Sequence, residues 1–413
     1  MQRSMQGLRE NRNQFYLLVL INAFVGSMVG LERSVLPGLS QQFSLSSYTA
    51  MLSFLVSFGS SKAVFNLLTG KLTKTFSRKT VLLIGWIVAL PVPFLLMYAP
   101  DWNWIIAANV LLGINQGLAW SSTVIMKIDL VGERNRGLAM GINEFAGYLS
   151  VGLAAYLASE IAADKGFAYY PFLPGIFFSM AGLFLTLFFV KDTTPHVVYE
   201  AAKSNVPYLK NIWEATTLRH HNLGSVTING FINNLNDGVI WGLLPVLLLG
   251  KQFTLSQTGF VAGVYPAVWG IAQLVTGKLG DRYCKKQLII SGMLVQAAGL
   301  TLLAFSNTFS PAVISMLLLG LGTALVYPNF LTVVAENTHP HQRAESLSIF
   351  RFWRDSGYVI GALLSGILAD AFGIVVTLLI VAMLTALAGL LAQVRMCCTA
   401  RLLWKSRLCT ELT

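Results

Sequence analysis

The sequence predicts an all-α membrane protein whose twelve transmembrane helices form two pseudo-symmetric six-helix bundles. The first observation is composition: 55% of the 413 residues are hydrophobic and only 11% are charged. A soluble domain carries about 25% charged residues, so much of this surface has to face lipid instead of water. The second observation is a series of apolar runs of membrane-spanning length, and the third is a repeat that relates the two halves of the chain.

The apolar runs are about 20 residues long, which is the length of α-helix that crosses the hydrocarbon core of a bilayer. Helices are expected because lipid offers the backbone no hydrogen-bond partners. The predicted spans are 14–37, 48–70, 80–98, 103–128, 137–159, 168–190, 223–249, 257–277, 287–306, 311–334, 345–369 and 372–394. Close helix packing is expected at the small-residue pairs, because Gly-x-x-x-Gly lets helix backbones approach. These pairs are Gly26/Gly30, Gly113/Gly117, Gly137/Gly141, Gly259/Gly263 and Gly357/Gly361.

A polar stretch divides the spans into two sets of six. The predicted division is an N-terminal six-helix bundle over 1–190, a cytoplasmic linker over 191–222, a C-terminal six-helix bundle over 223–395 and a cytoplasmic tail over 396–413. If both termini are cytoplasmic, the outer loops hold only Lys165 and Lys251, and the other loop lysines and arginines lie inside. By the positive-inside rule this bias predicts a multi-pass protein of the cell (inner or plasma) membrane with both termini cytoplasmic.

An internal repeat relates the two halves at an offset of 207 residues. The segment TGKLTKTFSRK at 69–79 returns as TGKLGDRYCKK at 276–286, and the same offset relates Trp120 to Tyr327. Duplicated halves of this kind are typical of carriers that bind their solute between the two halves.

The repeated loop carries the residues of a known signature. The second copy matches Gly-x-Leu-x-Asp-Arg-x-Gly-Arg/Lys-Arg/Lys with Gly277, Leu279, Asp281, Arg282, Lys285 and Lys286, and has Cys284 at the second glycine. The first copy keeps Gly70, Leu72, Arg78 and Lys79, with Lys74 where the aspartate is expected. Two such copies and twelve spans resemble the major facilitator superfamily over nearly the whole chain. The resemblance implies the MFS fold and a transport function, without deciding between branches of the superfamily.

Three charged residues share one face of the eleventh span. Arg351, Arg354 and Asp355 stand at i, i+3 and i+4 of the predicted helix. An ionisable side chain at bilayer depth costs about 2.5–3.5 kcal/mol on insertion scales, so this face has to meet protein or a water-filled cavity. An internal Arg351–Asp355 ion pair is one interpretation. An anion or counter-charge site is the other, because one pair leaves one guanidinium over.

Four carboxyl groups within predicted spans are candidates for proton coupling, since a buried acid is a natural carrier of a transported proton. The candidates are Glu32, Glu144, Asp237 and Asp355. A structural pairing with a neighbouring basic group is the alternative for Glu32, and a purely structural role is the alternative for Glu144. Lys127 and Asp129 lie near the cytoplasmic end of span four, where we expect them to be solvated.

The superfamily resemblance places spans one, four, seven and ten around a central cavity. Polar and aromatic residues of these spans, with the arginines of span eleven, are therefore the predicted substrate-binding set. This set is Asn115, Gln116, Trp120, Asn233, Asn236, Asp237, Tyr327, Asn329, Arg351 and Arg354.

The charged loops suggest a latch on the cytoplasmic side. We expect Asp281 to engage Arg136 or the amino end of span five, where the helix dipole favours an anion. In the other half, Lys74 would meet Glu345. The predicted gating residues are Gly70, Lys74, Arg78, Arg136, Gly277, Asp281 and Arg282.

The four cysteines, Cys284, Cys397, Cys398 and Cys409, show neither metal-ligand spacing nor a paired extracellular pattern, so no disulfide framework is expected. The net charge of +11 is carried by clusters between the spans, which indicates membrane anchoring and not nucleic-acid binding. The chain contains no Walker-type phosphate loop, no His-Glu-x-x-His and no Gly-x-Ser-x-Gly, so neither ATP-driven transport within this chain nor the common membrane hydrolases are indicated.

These features predict a secondary active transporter, not an enzyme, that moves a small solute by alternating access. Proton-coupled export of a small organic compound or metabolite is the leading interpretation. An organic-anion importer or exchanger, and a non-transporting sensor on a carrier fold, are the alternatives. The expected partners are a small-molecule substrate, protons and the lipid bilayer, with no cofactor, no metal and no nucleic acid, and the chain is expected to act as a monomer.

Overall fold

The computed structural model describes residues 6–33, 35–36, 39, 42–43, 48–132, 135–398 and 401–405. Arg3, Arg134 and Arg407, which the orientation prediction places on the cytoplasmic side, and Cys409 lie outside the described residues. The described residues are almost entirely helical, and the one β-bridge among them joins Tyr283 to Arg401.

Long helical segments follow the predicted spans in order. In the first half they are α1 (Arg12–Arg33), α2 (Tyr48–Thr75), α3 (Arg78–Met97), α4 (102–131), α5 (Arg136–Lys165) and α6 (Tyr170–Phe189). In the second half they are α7 (His221–Gly250), α8 (Leu255–Arg282), α9 (Lys285–Phe305), α10 (Phe309–Glu336), α11 (Arg343–Phe372) and α12 (Ile374–Arg395). The predicted linker contains the short helices Thr194–Ala201 and Ile212–Glu214 and a π-helical turn at Ala215–Arg219.

Within the described residues, ten helices are long and apolar enough to cross a membrane. The two remaining predicted spans, 48–70 and 103–128, lie in α2 and α4 and are helical as well. A π-helical turn over Gln116–Trp120 interrupts α4, and such turns are frequent at functional sites. The chain is a helical membrane protein with the predicted fold class, and the count of twelve crossings stays a prediction.

The chain divides into two compact units. The first contains Met1–Gly132 and Ala146–Ser204, and the second contains Glu133–Phe145 and Asn205–Thr413. Helix α5 is therefore divided, because its residues up to Phe145 belong to the second unit and the rest to the first. The sequence-based division assigned the whole of α5 to the N-terminal bundle.

Glycines set the closest helix contacts. A Cβ atom on Gly26 of α1 would collide with the carbonyl of Gly147 in α5, and one on Gly357 of α11 would collide with that of Phe231 in α7. The predicted glycine pairs that press against a neighbouring helix in this way are Gly26/Gly30, Gly113/Gly117, Gly137/Gly141 and Gly357/Gly361. Gly263 has open space around it, so the prediction of close packing is wrong there.

Candidate functional site

A buried polar network runs through the second unit around Asp237 of α7. The Tyr265 hydroxyl of α8 donates to Asp237 Oδ1 and lies 3.2 Å from Thr323 Oγ1 of α10. Asp237 and Tyr265 are both buried. The sequence singled out the acid because it stands in an apolar span, but it gave Tyr265 and Thr323 no role, although both are polar groups in spans.

The asparagines around Asp237 extend this network to α9 and α12. Asn233 and Asn236 each donate to Gln296 Oε1, at 2.9 and 3.1 Å, and Asn236 Oδ1 accepts from Thr385 at 3.0 Å. All four side chains are buried, and buried amides of this kind are normally hydrogen-bonded. Asn233 and Asn236, predicted to bind substrate, are thus held by protein partners.

Arg354 of α11 lies between two carboxylates. Its Nη1 is 3.5 Å from Asp355 Oδ1 and its Nη2 is 3.9 Å from Asp237 Oδ2. The guanidinium carbon is 4.1 Å from the centroid of the Tyr327 ring, which is within cation–π range. Asn234 Nδ2 donates to the Arg354 carbonyl at 2.9 Å and contacts Asp355 Oδ1 at 3.4 Å. The structure therefore brings together the predicted residues Asp237, Tyr327, Arg354 and Asp355.

Aromatic rings border this charged cluster. Tyr265 stacks on Trp269 with centroids 5.8 Å apart, and Trp269 meets Tyr327 edge-on at 6.1 Å. All three are buried. The cluster thus has an apolar aromatic side next to its ionic side.

Arg351 lies one helical turn before Arg354 and differs from it in its contacts. Arg351 is only 4% exposed, and its Nη1 has no hydrogen-bond partner among the described residues. The Arg351–Asp355 ion pair, one of the two interpretations of this face, is not formed; Asp355 pairs with Arg354 instead. The pairing differs from the expected one because an acid of another helix, Asp237 of α7, also lies 3.9 Å from Arg354, which places the Arg354 guanidinium between the two carboxylates.

Glu144 and Asn329 of the second unit are placed differently. Glu144 is buried, and its Oε1 accepts from Asn143 Nδ2 at 2.5 Å. Asn329 donates to the Leu325 carbonyl of its own helix at 2.7 Å, and its amide oxygen lies against Gly280 of α8. Asn329 is thus turned towards α8, and no hydrogen bond links it to the Asp237 network among the described residues.

The predicted substrate-binding residues of the first unit are Asn115, Gln116 and Trp120. Gln116 and Trp120 begin and end the π-helical turn of α4, and Asn115 directly precedes it. Asn115 donates to the Gly85 carbonyl of α3 at 2.9 Å, and Gln116 donates to the Val25 carbonyl of α1 at 2.7 Å. Trp120 packs against Gly147 and lies 5.6 Å from the Tyr148 ring. These contacts join helices α1, α3, α4 and α5, and they do so through side chains that sequence reasoning assigned to substrate.

Glu32 near the end of α1 is 2% exposed, and its Oε1 has no hydrogen-bond partner in the described chain. The neighbouring Arg33 lies half-buried with its guanidinium 4.9 Å from the centre of the Phe58 ring. Lys62 of α2 lies over the same ring at 5.8 Å. An acid and two cations are therefore gathered in this part of the first unit.

The two motif loops form equivalent ion pairs. Arg78 Nε is 2.7 Å from Asp129 Oδ2 in the first unit, and Lys285 Nζ is 3.0 Å from Glu336 Oε1 in the second. Each member of the second pair lies 207 positions after its counterpart. The internal repeat read from the sequence thus recurs as a repeated contact.

The expectation of a solvated Lys127 and Asp129 is wrong. Both are fully buried, and Asp129 also accepts a hydrogen bond from Thr193 at 2.9 Å. The physical reason is that the linker folds back over the end of α4. On the same side, hydrogen bonds from Thr194 and from the backbone of Lys79 hold the pKa of Asp192 below its usual value, although burial acts to raise it.

A backbone contact connects the second motif loop to α5. Asp281 Oδ1 accepts from the Gly137 amide at 2.7 Å, and Oδ2 accepts from the Leu138 amide at 3.0 Å. These amides belong to the first turn of α5, where the helix dipole favours a negative charge. Gly277 of the motif packs directly on Gly137. The contact expected between Asp281 and the amino end of span five is present; its gating role stays a prediction, as do the roles of Gly70, Lys74, Arg136 and Arg282.

The expectation of no disulfide is wrong. Cys284, which replaces the second motif glycine, is bonded to Cys398 of the tail. The Cys284 amide also donates to the Arg401 carbonyl at 2.9 Å, and Gln287 bonds the backbone of Leu403 and Trp404. The two cysteines are 114 residues apart, so only the return of the tail to the α8–α9 turn brings them together.

With this geometry in place, comparison with known proteins identifies the family. The model of the Major Facilitator Superfamily matches residues 15–221 and 226–405. The chain belongs to the Major Facilitator Superfamily. Members of this superfamily are membrane transporters and not enzymes, and the chain is accordingly a multi-pass membrane protein.

Curated relatives within the superfamily match parts of the chain. The multidrug resistance protein MdtH of Aeromonas hydrophila is 32% identical over 133 residues, which is 30% of this chain and 34% of that protein. An uncharacterized MFS-type transporter of Methanocaldococcus jannaschii is 23% identical over 247 residues, 57% of this chain and 64% of that one. The first of these matches therefore spans about a third of its relative's length.

Solved superfamily structures share the fold over nearly the whole chain. The human organic anion transporter MFSD10 (TETRAN) superposes with a TM-score of 0.77 at 16% identity, covering 93% of this chain and 99% of that one. The proton:xylose symporter XylE superposes with a TM-score of 0.74 at 15% identity, covering 92% and 95%. At these identities the likeness establishes the superfamily fold alone.

Proposed function

We propose that this superfamily member couples solute movement to protons and exports a small organic compound or metabolite by alternating access, working as a monomer in the cell membrane with both termini in the cytoplasm. The observation that carries the proposal is the Asp237 cluster: a carboxylate in α7, bonded by Tyr265 and 3.9 Å from Arg354. Asp237 shares the cation Arg354 with a second acid, Asp355. Asp237 can therefore take up a proton without leaving Arg354 unpaired, because Asp355 still neutralises the arginine.

Glu32 is the proposed coupling acid of the first unit. It is buried, one oxygen has no hydrogen-bond partner among the described residues, and the cation beside it in sequence, Arg33, stacks on Phe58. A carboxyl in such a place has the features expected of a proton carrier at bilayer depth.

Export is proposed because multidrug resistance proteins stand among the relatives. The named function belongs to MdtH, and the shared segment is 30% of this chain. The direction of solute flux tests this part of the proposal.

The test is solute flux in sealed liposomes. A ligand that binds the folded state raises its melting temperature, so a thermal-shift screen of metabolites and drugs first identifies a ligand. That ligand is then prepared in radiolabelled form. The full chain is then reconstituted, a pH gradient is imposed, and accumulation is compared for wild type, Glu32→Gln and Asp237→Asn. Both substitutions keep the size of the side chain and remove its titratable proton.

Matched controls are Glu160→Gln and Asp370→Asn, which make the same changes at exposed positions. We expect the controls to accumulate solute as wild type does, and the two test variants to bind it but to lose gradient-driven accumulation. If both test variants still accumulate solute up the gradient, coupling through these carboxyls is wrong. If no compound moves through wild type while ligands still bind, the sensor interpretation replaces transport.

An organic-anion importer or exchanger is the second candidate. The observation that favours it is Arg351, a buried guanidinium beside the Asp237 cluster with a nitrogen that lacks a hydrogen-bond partner among the described residues. Reversing the pH gradient in the same liposomes separates import from export.

A further inference from the structure

We propose that the α8–α9 turn and the tail segment 396–405 together form a docking surface for an anionic phospholipid headgroup. This surface lies at one end of three membrane-spanning helices, since α8 ends at Arg282, α9 begins at Lys285 and α12 ends at Arg395. It shares no residue with the Asp237 cluster and requires no part of the proposed transport reaction.

Two side chains of the turn hold the tail in place. Cys284 is bonded to Cys398, which joins the tail to the turn covalently. The Gln287 side chain donates to the Trp404 carbonyl at 2.5 Å and accepts from the Leu403 amide at 2.6 Å. The tail therefore has a defined position beside the ends of α8 and α9.

Four exposed cations come together because the tail is held there. A β-bridge pairs Arg401 with Tyr283, and the Arg401 guanidinium is 5.7 Å from the centre of the Tyr283 ring. Arg282 directly precedes Tyr283, and Lys278 stands one helical turn earlier on the same face of α8. Lys405 is the last residue of the bound segment. All four cations are exposed, and no carboxylate of the described residues lies within 4.0 Å of any of them.

The acids of this region are engaged elsewhere. Segments 271–287 and 396–405 contain six lysines and arginines but only one acid, Asp281. Both oxygens of Asp281 accept from backbone amides of α5, and Glu336 of α10 is paired with Lys285. The four exposed cations therefore repel one another without a nearby protein counter-charge, and an external anion relieves that repulsion.

Apolar neighbours favour a lipid over a soluble anion. Leu403 and Trp404 lie between Arg401 and Lys405 in the tail, and both are exposed. Tryptophan is enriched where a membrane meets water, and basic clusters next to a span attract anionic lipids. Binding at this depth strengthens with buried apolar area and with charge attraction together, and the tail segment offers both. With both termini cytoplasmic, as proposed above, the headgroup belongs to the cytoplasmic leaflet, where anionic lipids give the surface a negative potential.

The experiment titrates the detergent-purified full chain with phosphatidylglycerol and, separately, with phosphatidylcholine. Native mass spectrometry measures the affinity of the first lipid bound. One cation at a membrane surface changes affinity by about 5-fold, so we expect Lys278→Gln and Lys405→Gln each to weaken phosphatidylglycerol by about that factor. Phosphatidylcholine, which has no net charge, should bind these variants as it binds wild type.

The internal repeat supplies a matched control. Lys71 is exposed and stands 207 positions before Lys278, but the first copy of the loop has Ser77 where the second has Cys284. The first copy therefore cannot form the bond that holds the tail. Lys71→Gln should bind phosphatidylglycerol as wild type does.

A variant that keeps every charge tests whether the surface has to be assembled. Cys284→Ser combined with Gln287→Ala removes both side chains that hold the tail, and should weaken phosphatidylglycerol by about 5-fold or more. A melting scan without added lipid shows whether each variant is folded. If the double variant is unfolded, Cys398→Ser, which removes only the disulfide, takes its place.

The proposal is overturned if wild type binds the two lipids equally, or if Lys278→Gln and Lys405→Gln weaken phosphatidylglycerol no more than Lys71→Gln does. It is also overturned if the folded charge-keeping variant binds phosphatidylglycerol as tightly as wild type, because the cations then act without the docked tail. If water-soluble glycerol phosphate displaces phosphatidylglycerol at equal concentration, the occupant is a soluble phosphate and the assignment to lipid is wrong.

Discussion

Replacing Asp129 with asparagine should destabilise the first unit by about 3–5 kcal/mol, the cost of removing one partner from a buried ion pair. The side chains of Arg78 and Asp129 are only 7% and 1% exposed, and their charged atoms are 2.7 Å apart. The substitution leaves the Arg78 guanidinium buried without the carboxylate charge nearest to it. Both the desolvation cost and the lost attraction therefore count against the folded state.

The internal repeat supplies a graded comparison for this prediction. Glu336, the equivalent acid of the second unit, has a side chain that is 30% exposed, so water can replace part of its interaction with Lys285. Its partner Lys285 is only 9% exposed, so we expect Glu336→Gln to cost about 1–3 kcal/mol, between the values for solvated and for fully buried pairs. Asp164, whose side chain is 72% exposed, pairs with Lys165. We expect Asp164→Asn to lower the free energy of unfolding by no more than about 0.5 kcal/mol.

The assay is equilibrium unfolding in mixed micelles with increasing dodecyl sulfate, followed by circular dichroism. A double variant, Arg78→Met with Asp129→Leu, should recover most of the loss, because no unpaired charge is then buried. Equal losses for the three acid variants, or a larger loss at Glu336 than at Asp129, would refute the assignment of the cost to burial.

Three further outcomes follow from the structure. Gly357→Ala should lower the stability of the second unit by about 1–3 kcal/mol in the same unfolding assay, because the alanine methyl group would meet the Phe231 carbonyl. The control is Gly366→Ala on the same helix, where the added methyl group meets open space and should not lower the stability in this way. Burial lowers the pKa of His196, so the folded chain favours the neutral ring. The contribution of His196 to stability should be complete above the pKa of the unfolded chain, about 6.5, and should be lost as the pH falls through the lower pKa of the folded chain. The His196→Gln variant should lack this part of the dependence of melting temperature on pH. Cys284→Ser should make Cys398 reactive towards maleimide, detected by mass spectrometry, whereas Cys398 of the oxidised wild type should resist it.

The fold was readable from sequence because lipid imposes a simple rule: apolar runs of fixed length have to become helices. The repeat at an offset of 207 residues was equally readable, and the Arg78–Asp129 and Lys285–Glu336 pairs show that it is kept in contacts. Asp237 and the charged face of α11 stood out for the same reason, since charges in apolar spans have few explanations.

Partner assignment was not readable from sequence. Helical spacing allowed Arg351 to pair with Asp355, but the position of Asp237 on α7 draws Arg354 to both acids, and no pattern within α11 encodes that choice. Polarity alone also could not show that Asn115 and Gln116 would bond backbone carbonyls of neighbouring helices. Such contacts depend on how helices far apart in sequence come to lie side by side.

The bond between Cys284 and Cys398 closes a covalent ring around the last four long helices, α9 to α12. A single protease cut within that ring leaves both pieces attached, so nicked molecules would migrate as intact ones until a reductant is added. A quality-control protease that pulls the chain from the membrane by its carboxyl end would have to draw three strands through its pore together, the chain before Cys398 and the chain on both sides of Cys284. Degradation of this protein is therefore expected to begin with reduction of the Cys284–Cys398 disulfide.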